Sequence, residues 1–347
     1  MEYHERPGVY SNYEMSTVLS SGSGNQTVGL AAVMEGSSML TITSVSQAEK
    51  LLEAEPVALN LVRLLLLNGA GTVLVYPSAD DSVESYCAAA KALLAEKQAR
   101  LMICDCDHEN VQLGMKAAIL EAAEEGNECI GVAAMASTSV TPLVARAAAL
   151  DSERMVLVAG SAKLSWDEGV DGSVYGAAAV AGLLAGETDP AVPVHGVALK
   201  GIGTVSQRFT ETEIDTLVQG GVTQLEAVGG TVSIIRAVTT RTTTEGNPDA
   251  SWRELTTIRI VDDVVPGVRN ALKAKFIRRK NNETTRGAIR AQVVVELEKR
   301  KKREIIDDYG DISVEADGED PTVCLVEFSF SVTHGVSRIY LTAHITV

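Results

Sequence analysis

Cys104-Asp105-Cys106-Asp107-His108 is the one run in the sequence whose residue types could ligate a metal or take part in catalysis: two thiols, two carboxylates and an imidazole in five consecutive positions. It follows an apolar stretch, 100–104, that reads as a strand. In a parallel α/β sheet this places the run at a strand's C-terminal end, where the active sites of such folds lie. The spacing argues against zinc, because Cys-x-Cys beside Asp-x-His is not a usual tetrahedral pattern and no second ligand cluster exists elsewhere. The plainer reading has Cys104 buried in its strand and Asp105 or Asp107 capping the helix that follows.

Other chemistry is absent. Gly22-Ser23-Gly24 and Asn68-Gly69-Ala70-Gly71 do not complete a Gly-x-x-x-x-Gly-Lys-Ser/Thr loop. Gly69 and Gly71 also precede a strand, the wrong order for a dinucleotide fingerprint, so both stretches read as turns. No Gly-x-Ser-x-Gly elbow or His-Glu-x-x-His pair occurs, and the five histidines are scattered. The residues therefore predict no catalytic group, cofactor or metal. The alternative is a doubly wound enzyme or ligand-binding protein with a site near Asp105, Asp107 and His108.

Apolar runs and amphipathic stretches alternate around the cluster. Strands are expected at 72–76, 100–104, 129–133 and 154–158, with helices at 81–98, 109–125 and 140–150 between them. Repeated units of this length build a parallel sheet with helices on its faces. Upstream, 46–67 reads as one or two helices broken at Pro56. An Ala-rich helix at 175–187 ends in a loop with Pro190 and Pro193, where a domain boundary is expected near residue 200. Beyond it come a helix at 212–219 and two strands, 223–228 and 231–239, turning at Gly229-Gly230. A loop spans 240–250, a strand 252–261, and a helix begins near Pro266. A second helix spans 284–306, and two strand patterns flank His334 and Gly335.

Of 347 residues, 46% are hydrophobic and 4% aromatic, so Ala, Val and Leu carry most of the burial, as in an α/β body. Neither a signal peptide nor a membrane span is expected, and a cytoplasmic site of synthesis follows. Five cysteines without paired spacing read as small buried side chains in a reducing compartment. Net charge is −16, yet residues 269–303 hold thirteen Lys and Arg against three Glu, leaving −26 on the rest. Such asymmetry points to self-complementarity or an anionic partner. Nucleic acid fits poorly, since Phe276 is the only aromatic residue in the basic stretch and the acidic remainder would repel phosphate.

Both ends have strand-like character. Residues 1–17 hold three tyrosines and Pro7-Gly8 without helical period, while Ile339, Leu341, Ala343, Ile345 and Val347 alternate with polar residues. Such a strand needs an edge to pair with, in its own sheet or a neighbour's.

Taken in order, several segments resemble the tail sheath proteins of contractile phage tails and related injection particles. They are Arg6-Pro7-Gly8-Val9-Tyr10, Gly221-Val222-Thr223 through Gly229-Gly230-Thr231-Val232 to Ile235-Arg236-Ala237-Val238-Thr239-Thr240, the helical pair at 262–306, and the closing strands at 328–347. The resemblance covers the C-terminal 130 residues well and the first ten loosely. It implies a parallel-sheet α/β N-terminal region plus an α+β sheath core with extended strand arms. The expected division is an arm at 1–20, an α/β domain at 21–200, the core at 201–335 and a C-terminal arm at 336–347. The resemblance further implies hexameric rings stacked around a tail tube, with contraction driving the tube through the target envelope. Val9, Tyr10, Tyr13, Ile339, Leu341, Ala343, Ile345 and Val347 would form inter-subunit strands. Arg278, Arg279, Lys280, Lys299 and Arg300 would face the tube or an acidic patch on a neighbour. Expected partners are further copies, tube, baseplate and tail terminator proteins, with no nucleic acid and no membrane insertion. A tube or baseplate component is a less fitting third reading, given the length and the α/β region.

Overall fold

The computed structural model describes residues 26–167 and 169–336. Strand β1 (Thr27–Val33) is followed by a short β2 (Leu40–Ile42), helices α1 (Val45–Leu51) and α2 (Pro56–Asn68), and β3 (Thr72–Ser78). Alternation continues through α3 (Val83–Ala95), β4 (Ala99–Cys104), α4 (Glu109–Glu124), β5 (Ile130–Met135), α5 (Val140–Leu150) and β6 (Met155–Ala159). A small antiparallel sheet of β7 (Ala162–Leu164), β8 (Asp171–Gly172) and β9 (Ile202–Val205) brackets α6 (Ser173–Gly186). Helix α7 (Glu211–Gln219) leads into β10 (Val222–Val228) and β11 (Thr231–Arg236). After the two-residue strands β12 (Thr243–Thr244) and β13 (Asn247–Pro248) come α8 (Ala250–Arg253), α9 (Leu255–Phe276), α10 (Glu283–Lys302), β14 (Ile306–Ala316) and β15 (Cys324–Val332).

Local signals start and stop these elements. Pro56 opens α2 at a position whose N–H has no helical acceptor. Ser82 Oγ accepts the Ser85 N–H at 3.2 Å, and Thr210 with Glu213 forms a capping box at α7. Gly229 and Gly230, with φ of 60° and 81°, make the left-handed turn joining β10 to β11.

The eight-stranded sheet runs β11-β10-β6-β5-β4-β1-β3-β2, parallel except for its two edge strands. α2 and α6 cover one face, and α3, α4 and α5 the other. With both faces covered the inner strands are apolar throughout, and every residue of β6 is buried. α2 and α6 pack so tightly that a Cβ on Gly182 would stand 2.6 Å from the Leu65 carbonyl oxygen. Because β1 lies between β3 and β4, the crossovers leaving β1 and β4 head in opposite directions. That makes the gap between their C-terminal ends the sheet's topological switch point.

Three expectations change. The boundary near residue 200 cuts through one sheet, because β10 pairs with β6 and carries β11. The strand expected at 252–261 is instead helical, forming α8 and the first half of α9. Its β-branched residues suit a strand by propensity, but Leu255, Ile258 and Val261 pack on the body at helical spacing, and burial overrides propensity. Pro266 consequently lies inside α9 rather than at its start. Finally, the last helix stops at Lys302, and the chain turns through Glu304 in the left-handed region (φ 59°) so that Ile306 begins β14.

Candidate functional site

Asp105 stands at the switch point, directly after β4. Its carboxylate accepts the Val33 N–H at 2.9 Å and the Tyr86 hydroxyl, binding the ends of β1 and β4 to α3. Burial pushes the Asp105 pKa up, against the opposing effect of these hydrogen bonds. Asp107 Oδ2 accepts from Ser173 Oγ at 3.0 Å and from the Ala136 N–H at 3.2 Å. Arg146 Nη1 donates to the Asp107 carbonyl and to Gln112 Oε1, both at 3.0 Å. Neither carboxylate caps α4, contrary to the sequence expectation. His108 occupies the N-cap position without a side-chain bond. The two carboxylates of the cluster serve as loop ties, each holding groups from two other segments. Among the described residues no group of three or more His, Cys, Asp and Glu could hold a metal ion. No helix there is long and apolar enough to cross a membrane.

One reactivity does follow. Hydrogen bonding from the Cys104 thiol lowers the Cys106 pKa to about 7, while burial raises Cys129 to about 12. Alkylation by iodoacetamide, followed by peptide mass spectrometry, should modify Cys106 in the folded chain with a rate rising through about pH 7. Cys104 and Cys129, both buried, should stay protected until denaturant is added. Equal labelling of Cys106 and Cys129 in the folded chain would contradict this.

The second candidate surface is built by the last four elements. Ile260, Val264, Val265, Val268 and Leu272 of α9 pack with Ile289, Val293 and Leu297 of α10. Against them lie Tyr309 and Val314 of β14 and Val326, Phe328 and Phe330 of β15. β14 and β15 pair antiparallel with each other alone, so among the described residues this two-stranded sheet has helices behind it and two open edges. Phe328 and Phe330 stack at 6.3 Å between ring centroids. A two-stranded hairpin is marginal by itself, and its unpaired N–H and C=O groups are a template for further strands. The strand-arm residues Val9, Tyr10, Tyr13, Ile339, Leu341, Ala343, Ile345 and Val347 lie outside the described residues.

The basic stretch divides into exposed and engaged members. Arg278, Arg279 and Lys280 follow α9 and are exposed. Lys299 is exposed too, with its Nζ 2.7 Å from Glu296. Arg300 drops out of the contact set: it is buried, its Nε lies 2.9 Å from Asp263 and its Nη1 3.1 Å from Glu296. A run of charges at a helix end inevitably turns one member inward, and Arg300 is the one that faces α9.

A doubly wound sheet joined to a helical pair and an open hairpin is the fold of contractile sheath proteins. The contracted helical sheath of the anti-feeding prophage superposes with a TM-score of 0.73 at 16% identity, over 99% of each chain. The crystal structure of a sheath tail protein from Desulfitobacterium hafniense gives 0.69 at 13% identity, over 94% of this chain and 100% of that one. Residues 80–240 match the phage tail sheath protein central domain, and residues 247–346 the phage tail sheath C-terminal domain. The chain belongs to the phage tail sheath family and is a structural protein of contractile tails. The tail sheath protein of Bacillus phage SP01 is 28% identical over 135 residues, which is 39% of this chain and 23% of that relative.

Proposed function

We propose that the chain polymerises into hexameric rings stacked around a tail tube, and that contraction of this sheath drives the tube through a target cell envelope. The observation that carries the reading is the helix-backed hairpin β14–β15 with both edges open. Strand segments at the two termini would pair with such edges on neighbouring copies, and main-chain pairing survives rigid movement of the bodies it links. Energy for contraction is stored in contacts between copies during assembly, so neither nucleotide nor catalytic residue is required. Partners are further copies, the tail tube, baseplate and tail terminator proteins, with no role for nucleic acid or membrane insertion. The particle is a virion tail or a contractile bacteriocin, assembled in the host bacterial cytoplasm.

Negative-stain electron microscopy of the purified chain at high concentration, alone and with tube protein, tests this. Tubes or stacked rings of sixfold symmetry are expected; uniform small particles in both samples would overturn the proposal. Within it, Arg278, Arg279, Lys280 and Lys299 face the tube or an acidic patch on the next copy. The double substitution Arg278→Glu/Arg279→Glu should raise the critical concentration for assembly by about tenfold or more, because like charges set against each other across an interface cost several kcal/mol. Sedimentation of polymer at increasing protein concentration measures it, and an unchanged threshold would remove these residues from the interface.

A further inference from the structure

The junction between the α/β body and the C-terminal elements holds a cavity of about 190 Å³. Its basic lining converges from four segments: His195 from the loop after α6, Arg236 at the end of β11, Arg259 from the first turns of α9, and His334 just after β15. Arg259 is 7% exposed, and its guanidinium donates to the carbonyls of Glu187 at 2.8 Å and Val192 at 3.3 Å. Among the described residues no carboxylate comes within ion-pairing distance of it. Burial draws its pKa down to about 10, which Glu187 and Asp189 offset only in part. A buried cation without a counterion is costly, and two carbonyl contacts leave guanidinium N–H groups to spare.

The one acid in the lining does not supply that counterion. Glu254 is taken up by Arg236, so this pair is neutral and adds nothing to the partial offset that Glu187 and Asp189 give Arg259. Glu254 is also the N-cap residue of α9 and makes no side-chain capping bond, which adds the partial positive charge of a 22-residue helix to the same wall. The two histidines stand on segments that already touch. A Cβ on Gly335 would come within 2.1 Å of Pro193 Cγ, so 193–195 and 334–335 are pressed together at the cavity.

We propose that this cavity binds a small oxyanion, a phosphate or carboxylate group, which lies against Arg259 and takes N–H donors from His195 and His334. Such an anion bridges the body to the stretch that follows β15.

The test is calorimetric titration of the full chain with inorganic phosphate and, separately, with acetate, against chloride at matched ionic strength. Saturable binding of one anion per chain is expected for phosphate, acetate or both. The more tightly bound of the two tells a phosphate ligand from a carboxylate such as an acidic side chain of a second copy. His195→Ala/His334→Ala removes two side chains outside the core and should weaken binding about tenfold or more, the loss of two hydrogen bonds to a charged group. Failure of both anions to saturate, or an isotherm of the double variant that matches the parent, would overturn the site.

Discussion

Removal of residues 339–347 should yield a chain that keeps its cooperative thermal transition and forms no tubes. The described fold closes without that segment. All eight strands of the main sheet come from residues 27–236, and three buried clusters pack the helices around it and behind the hairpin. What the segment contributes under the proposed function is one strand per copy on a neighbour's open edge. Each backbone hydrogen bond there adds about 1 kcal/mol, and burial of each of Ile339, Leu341 and Ile345 about 1.5–3 kcal/mol. Because the loss recurs at every copy, polymerisation fails outright rather than weakening. Circular dichroism melts and electron microscopy of the truncated chain measure the two halves of this statement. If truncation instead unfolds the protein, the strand belongs to its own subunit and the exchange proposal falls.

The substitution Arg154→Ala should destabilise the fold by about 3–5 kcal/mol, the cost of breaking a buried ion pair and stranding its partner. Arg154 is fully buried just before β6 and stands 3.2 Å from Asp262 on α9, linking the sheet to the helix that carries the C-terminal elements. Burial already raises the Asp262 pKa, and Arg154 is the main influence holding it down. Without the arginine that pKa climbs further. The folded chain then binds a proton at a pH where the unfolded chain does not, so the destabilisation shrinks as pH falls through that interval. Adding Asp262→Asn should recover part of the loss at neutral pH. Denaturant melts of the parent and the two variants at two pH values provide the check, and a pH-independent deficit would show that lost packing, not the stranded charge, dominates.

The alternation from β3 to β6 is legible in the sequence because parallel strands buried on both faces leave unbroken apolar runs between amphipathic helices. β1 carries the same kind of run, bounded by Gly22-Ser23-Gly24 and Gly36-Ser37-Ser38, but no amphipathic helix precedes Thr27–Val33, and its place in the sheet comes from its partners β3 and β4. The helical start of α9 was hidden by β-branched residues whose spacing fits two periods at once. At the candidate site the ties of Asp105 to Val33 and of Asp107 to Ser173 span 72 and 66 residues, distances over which no local pattern operates. The inward turn of Arg300 rests likewise on Asp263, which belongs to another helix.

Helix α9 is one rod of 22 residues, about 33 Å long, whose first turns are sunk in the body while its later turns form the base of the hairpin. Arg269 on its far half reaches back to Glu128 at 2.5 Å and to the Gly126 carbonyl at 2.9 Å, so it is riveted at two points along its length. Mechanically this is a cantilever with a second support. A pull on β14 or β15 passes by side-chain packing to α9 and reaches the eight-stranded sheet as torque through its two anchorages, bypassing the loops that join these elements along the chain.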